Sequence, residues 1–405
     1  MGPKLKLLCR FFLAFCLFIM MPLHATALTT GISHFYNSDF LSSNLITSIS
    51  QDKEGYIWVA TEYGLNRFDG VHFTNYYADD NTSQPLLNNN CRKVICDNNG
   101  RVWVISYNGI QYYDRLHNSF PIVELDTEGQ SYPTDILVMQ DGRLLILTIM
   151  KGLYLIDPQK TEASEWKEAN KLYVDSTATC MFEDSQGRIW ICSDKKGLTQ
   201  IDVKKGSYEH FDFSQLGSNG VNAVCEDGKG RIIVLSRTKV LLYNEESKRL
   251  QEIADSEELY RRSLFKTHEG KVLMATYGNG MFEVDVDGNK LKPVFQQTVD
   301  GVKMGSQSVQ AFMEDAQHNK WIGCRRTGVA FLTSRQQPFA FFNMHNLQDD
   351  NGGVLSLLTY HNGNFILGQE NNGITVISPD RKILSRRFPG EYIIVLLSAK
   401  HKSPL

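Results

Sequence analysis

The sequence predicts an all-β fold, a seven-bladed β-propeller of four-stranded antiparallel blades followed by the start of a second propeller, and three observations carry that prediction. First, one unit recurs eight times, its turn position falling at Gly55, Gly100, Gly142, Gly187, Gly230, Gly270, His318 and Gly363, so that successive copies lie 40 to 48 residues apart. A period of that length corresponds to one four-stranded blade per repeat. Second, each unit alternates short apolar runs with turn residues, as in Asp52-Lys-Glu-Gly55-Tyr-Ile-Trp58-Val-Ala-Thr61-Glu-Tyr-Gly64. Third, Phe35-Tyr-Asn37 before the first copy returns as Phe341-Phe-Asn343 before the eighth, and Gly55 lies 308 residues from Gly363, which is seven repeats averaging 44. The eighth copy therefore reads as a new beginning.

In chain order, residues 1–27 read as a signal peptide. Lys4, Lys6 and Arg10 precede an apolar stretch over 11–23, and Ala25-Thr-Ala27 offers a small-residue cleavage site. Residues 28–337 then form the seven-bladed ring, whose N-terminal strand completes the last blade, and 338–405 begin a second, incomplete propeller. Within each repeat an apolar inner strand such as 46–50 ends in Asp-x-x-Gly, where the Asp side chain bonds local amides and the Gly supplies positive φ. The second strand carries Trp58, Trp103, Trp190 or Trp321, replaced by Leu145, Ile233, Leu273 and Ile366 in the other copies. A large flat side chain at this position fills the gap between neighbouring blades, so these tryptophans belong to the core. A second glycine, Gly64 in the first copy, opens the third strand, and that strand commonly ends on Asp, as at Asp69, Asp114, Asp157 and Asp202.

Composition narrows the function classes. With 42% hydrophobic residues the chain can bury a large core, and a net charge of -3 without a lysine- or arginine-rich block argues against nucleic acid as a partner. After the first 27 residues no apolar run reaches the length of a membrane span. Cys91, Cys96, Cys180, Cys192, Cys225 and Cys324 occupy strand positions where other repeats carry Ile, Val, Ala or Thr, and read as small buried hydrophobes. Cys91 and Cys96 lack companions at ligand spacing, so neither a metal site nor a cofactor is expected.

The repeat Asp-x-x-Gly-x-Ile-Trp-x-Ala/Cys-Thr/Ser…Gly-Leu, with the opening Leu41-Ser-Ser-Asn44-Leu-Ile-Thr-Ser-Ile49, resembles the two-component regulator propeller, over about residues 30–380. Such repeats form the periplasmic sensor of hybrid two-component systems, best known from glycan-degrading gut Bacteroidetes. The resemblance implies an exported, periplasmic, non-enzymatic sensor of oligosaccharides that regulates glycan-utilisation genes, and it leaves room for a homodimer through this region. Full-length relatives add a second propeller, a membrane helix, a histidine kinase and a DNA-binding module. This sequence carries no phosphoacceptor-histidine segment and no glycine-rich nucleotide motif, and 392–398 resembles an inner strand without its blade, so it reads as a truncated member.

Strand order places the binding face. If the inner strand descends and the second ascends, the hairpin after the second strand shares a rim with the inter-blade connections. The rim positions chosen as ligand-binding candidates are Glu62, Tyr63, Tyr107, Asn108, Lys195, Lys196, Arg237, Tyr277, Asn279, Arg325 and Arg326. With Lys151, Lys239 and Asp194 included, seven basic side chains face two acidic ones there, which points to an acidic oligosaccharide. Arginine pairs carboxylate or sulfate bidentately, and the tyrosines stack on sugar faces. No catalytic residue is assigned. A propeller glycosidase or lyase is the competing enzyme reading, but it needs two carboxylates across one pocket, whereas Glu62 and Asp194 are three repeats apart. A secreted protein-interaction scaffold is the third reading, which fold alone does not decide.

Overall fold

The computed structural model describes residues 32–125, 132–149, 152–159, 170–171, 175, 177–202, 205, 207–211, 220–237, 239–255, 261–334, 353–359, 363–378 and 383–394. Residues 1–27, expected from sequence to be a signal peptide, lie outside the described residues. The chain divides into two compact units, Met1–Gln336 and Gln337–Leu405.

Among its described residues the first unit contains seven four-stranded antiparallel sheets. Blade 1 runs Ile46–Gln51, Ile57–Thr61, Gly64–Phe68 and Phe73–Tyr76 in spatial as in chain order. The inner strands of blades 2 to 7 are Cys91–Cys96, Tyr132–Val138, Ala178–Glu183, Val221–Glu226, Arg261–Lys266 and Val309–Glu314. Successive inner strands lie side by side, and that of blade 7 meets that of blade 1, so the ring closes. Blade 7 takes three strands from the end of this unit, and its fourth is Ile32–Tyr36 from the beginning, paired antiparallel to Gly328–Leu332. The seam is tight. Gly328 has φ +93°, and a Cβ there would collide with the Tyr36 carbonyl oxygen. Gly328→Ala is therefore expected to lower stability by about 1–3 kcal/mol, the usual cost of overpacking, as read from the urea midpoint.

The repeated residues explain why the blades form. Asp52 Oδ1 accepts the amides of Glu54 and Tyr56 at 3.1 and 3.0 Å, which folds the turn, while Oδ2 accepts the Trp58 indole N–H at 2.7 Å. The same indole–carboxylate bond joins Trp103 to Asp97, Trp190 to Asp184 and Trp321 to Asp315, at 2.8 to 2.9 Å. The spacing Asp-x-x-Gly-x-x-Trp thus gives a buried tryptophan the polar partner it needs. Each tryptophan ring then packs on the next blade: Trp58 on Val94 and Tyr113, Trp103 on Ile136, Trp190 on Val221 and Val234, and Trp321 on Ile46 and Val59. Leu145, Ile233 and Leu273 do the same work without the hydrogen bond.

On the Asp-turn face, the residue just before the Asp position reaches back to the preceding blade. Glu183 accepts the Gln140 amide at 2.7 Å, Glu226 that of Ser185 at 3.1 Å, Glu314 that of His268 at 2.6 Å, and Gln51 that of Ala316 at 2.7 Å. Among its described residues the second unit holds one four-stranded sheet, Val354–Thr359, Phe365–Gln369, Gly373–Ile377 and Ile383–Arg387, with Leu367 and Ile377 buried.

Candidate functional site

Five of the rim hairpins, each following the second strand of its blade, are tied to the inter-blade connection. Amide-to-carbonyl bonds run from Glu62 to Leu45, Tyr107 to Asn90, Asp194 to Thr177, Arg237 to Gly220 and Arg325 to Ser308, at 2.8 to 3.3 Å. The hairpins and these connections therefore share one end of the ring, and the Asp-x-x-Gly turns occupy the other. The hydroxyl that ends the second strand shapes the hairpin: Thr61 Oγ1 accepts the Tyr63 amide, and Thr276 Oγ1 the Asn279 amide.

The side chains at this end fall into two groups. Tyr63, Tyr107 and Tyr277 are 56%, 47% and 40% exposed, a high value for large aromatic rings. Arg325 of blade 7 lies over the Tyr277 ring of blade 6 at 5.5 Å, so two of the candidate residues meet across a seam. Arg92 lies over Tyr107 at 5.0 Å, and Tyr132 is tilted against Tyr107 at 5.7 Å. Tyr77 sits 6.1 Å from Tyr63. Asn108, Lys195, Lys196, Asn279 and Arg326 are exposed, and Glu62 is half-buried.

The charge inventory of the hairpins changes once the connections are included. Lys196 reaches Asp175 at 3.9 Å, Arg237 reaches Asp194 at 3.4 Å, and Lys239 bonds Glu252 at 2.5 Å. Asp175 and Glu252 lie outside the hairpins, so the count of seven basic to two acidic side chains overstates the positive excess. Burial works against the Asp175 charge, but the Thr177 amide and hydroxyl, the Ser193 hydroxyl and Lys196 more than offset it and hold its carboxyl below the usual range. Lys151 lies outside the described residues.

An open cavity of about 330 Å³ lies between blades 3 and 4, lined by Thr134, Ile149, Thr177, Ala178, Thr179, Asp194 and Lys195. Only Lys195 among these was a candidate from sequence. The three threonines stand at the rim ends of inner strands, and position is their sole sequence signal, because the candidate residues all lie in the hairpins. Among the described residues no group of three or more His, Cys, Asp or Glu side chains is arranged to hold a metal ion, and no helix is long and apolar enough to cross a membrane.

No curated protein matches the chain in sequence. The family described as two component regulator propeller matches at residues 41–63 and 173–195, the opening of blade 1 and the corresponding part of blade 4. Among solved structures, the extracellular domain of a putative hybrid two component system from B. thetaiotaomicron is 22% identical, with a TM-score of 0.63 over 88% of this chain and 49% of that one. A second such domain from the same organism is 18% identical, with a TM-score of 0.59 over 86% and 45%. Virginiamycin B lyase from Staphylococcus aureus is 12% identical, with a TM-score of 0.58 over 75% and 99%. At these identities the likeness is one of fold, and the chain spans about half the length of the extracellular domains it matches. Residues 41–63 and 173–195 thus match as two-component regulator propeller repeats, and the chain folds like the extracellular domains of putative hybrid two component systems.

Proposed function

We propose that this chain is the extracytoplasmic ligand-binding region of a two-component sensor, and that its rim takes an oligosaccharide of the acidic class without turning it over. In this reading the protein is exported to the periplasm, the second unit is the first blade of a second propeller, and the ligand governs genes for using that glycan. The observation that carries it is the Tyr277–Arg325 pair. An exposed ring and a guanidinium at one seam offer a sugar face and a carboxylate or sulfate the two contacts they need. The family match at 41–63 and 173–195 supports the sensor part of the reading.

The test is calorimetric titration of residues 28–405 against matched neutral and acidic oligosaccharides. Saturable binding to an acidic class is expected, and Tyr277→Ala and Arg325→Ala should each weaken it about tenfold, equivalent to about 1.4 kcal/mol. Unchanged affinity in both variants would remove the rim from the site, and binding confined to neutral sugars would sink the acidic class.

A further inference from the structure

Blade 4 carries two cysteines that its strand register sets face to face. Cys180 lies on Ala178–Glu183 and Cys192 on Ile189–Ser193, and the antiparallel ladder pairs them directly, just past the irregularity that leaves Thr179 as an extra residue. Residues opposed in such a ladder have Cα atoms about 4.5–5.5 Å apart. A disulfide bridges Cα atoms about 4.4–6.8 Å apart. The two side chains pack in one cluster with Trp190 and Leu198. No other two cysteines are opposed in register among the described residues.

Their surroundings differ in a way that sets the order of events. Cys180 is half-buried, and its Sγ donates to the Asn222 carbonyl at 3.4 Å across the seam to blade 5. Cys192 is buried, and burial pushes its thiol well above the ordinary range. Only Cys180 can meet a reagent from solvent.

We infer that Cys180 and Cys192 are a modification site, a cross-strand dithiol that an external disulfide converts to an intramolecular bond. The Cys180 thiolate attacks one sulfur of the oxidant, and the other sulfur leaves as a thiol, giving a mixed disulfide on Cys180. Cys192 then gives up its proton and attacks Cys180 Sγ, and the second half of the oxidant leaves as a thiol. Two protons and two electrons pass from the cysteines to the oxidant, which is reduced to two thiols. The bond joins the two strands of blade 4 that line one side of the cavity, since Thr177, Ala178 and Thr179 precede Cys180 while Asp194 and Lys195 follow Cys192. An oxidising compartment is what the proposed periplasmic location supplies, and to that extent the inference rests on that reading.

The chemistry can be tested apart from location and ligand. The purified chain is equilibrated with oxidised glutathione, unfolded, alkylated and digested with trypsin. Trypsin cuts after Arg188, between the two cysteines, so the bond alone would hold peptides 172–188 and 189–195 together until reduction. The expected result is that linked pair in most molecules, with no such linkage among the other cysteines. A glutathione adduct left on Cys180 beside an alkylated Cys192, or alkylation of both, overturns the inference. Since neither sugar binding nor export is read out, a failed sensor reading leaves this result unaffected.

Discussion

Asp184→Ala is expected to destabilise the first unit by about 3–5 kcal/mol, the range for stripping one partner from a buried charged pair. The carboxylate is fully buried and serves four donors: the amides of Gln186 and Arg188, the Arg188 guanidinium at 2.6 Å and the Trp190 indole at 2.8 Å. Alanine leaves the buried Trp190 indole with nothing to accept its proton, uncaps the turn amides and leaves the Arg188 guanidinium with Glu245 alone; the orphaned indole carries its full desolvation cost. Asp141→Ala is the contrast, because Asp141 is exposed and its pairing with Arg143 is a surface one, worth about 0–1 kcal/mol. Urea unfolding of both variants decides the matter. Equal midpoints would mean that the Asp–Trp bond is geometric decoration.

Removal of residues up to Tyr36 is expected to abolish cooperative folding of the ring. The deletion strips Gly328–Leu332 of its ladder partner and takes away Phe35, whose side chain is buried with Phe312, Ile322 and Leu332, together with its amide bond to Asp300. Tyr36 goes as well, from a stack on Trp321 with ring centroids 6.1 Å apart. Emptying a single buried aromatic site costs about 3–5 kcal/mol, and this deletion removes two rings and a strand besides. The exposed edge would then recruit other chains. A peptide spanning 32–37, added in trans, should restore a sharp thermal transition and a monomeric elution volume. A truncated chain that unfolds like the intact one would show that the closure is dispensable.

Most of the architecture was legible because it is periodic. The turn glycines, the tryptophans and the recurrence of Phe-x-Asn each state a local rule, and repetition makes the rule readable. The Asp-x-x-Gly turn was read as an amide cap, and Oδ1 of Asp52 and Asp184 does that. What went unread was the second oxygen, because its partner stands six residues on and meets it only after the strand doubles back. The candidate rim was read from hairpins alone, so Asp175 and Glu252, contributed by a connection and an outer strand, escaped the count. Thr134, Thr177 and Thr179 escaped for the same reason. Among the cysteines, Cys91 and Cys96 drew notice by closeness in sequence, while strand register pairs Cys180 with Cys192. Sequence spacing reports neighbours along a strand, and sites are built from neighbours across it.

A ring of similar blades has many wrong ways to assemble, since any blade's apolar flank could dock on any other's, and repeat proteins misassemble in this manner. The bonds on the Asp-turn face bear on that problem. They point one way round the ring, from an amide of one blade to a side chain of the next, and they are not the same at every seam. Glutamates serve the seams of blades 3 with 4, 4 with 5 and 6 with 7, and Gln51 serves that of 7 with 1. Between blades 5 and 6 the Gly228 amide meets the Gly270 carbonyl instead, with Lys266 standing where a glutamate would. Between blades 1 and 2 the Lys53 ammonium bonds the Asn98 carbonyl. A blade docked out of turn would set Lys266 or Cys96 against an amide that needs an acceptor, and would bury a glutamate with none of its donors. These seams act as an address system that makes the blades non-interchangeable despite their shared repeat.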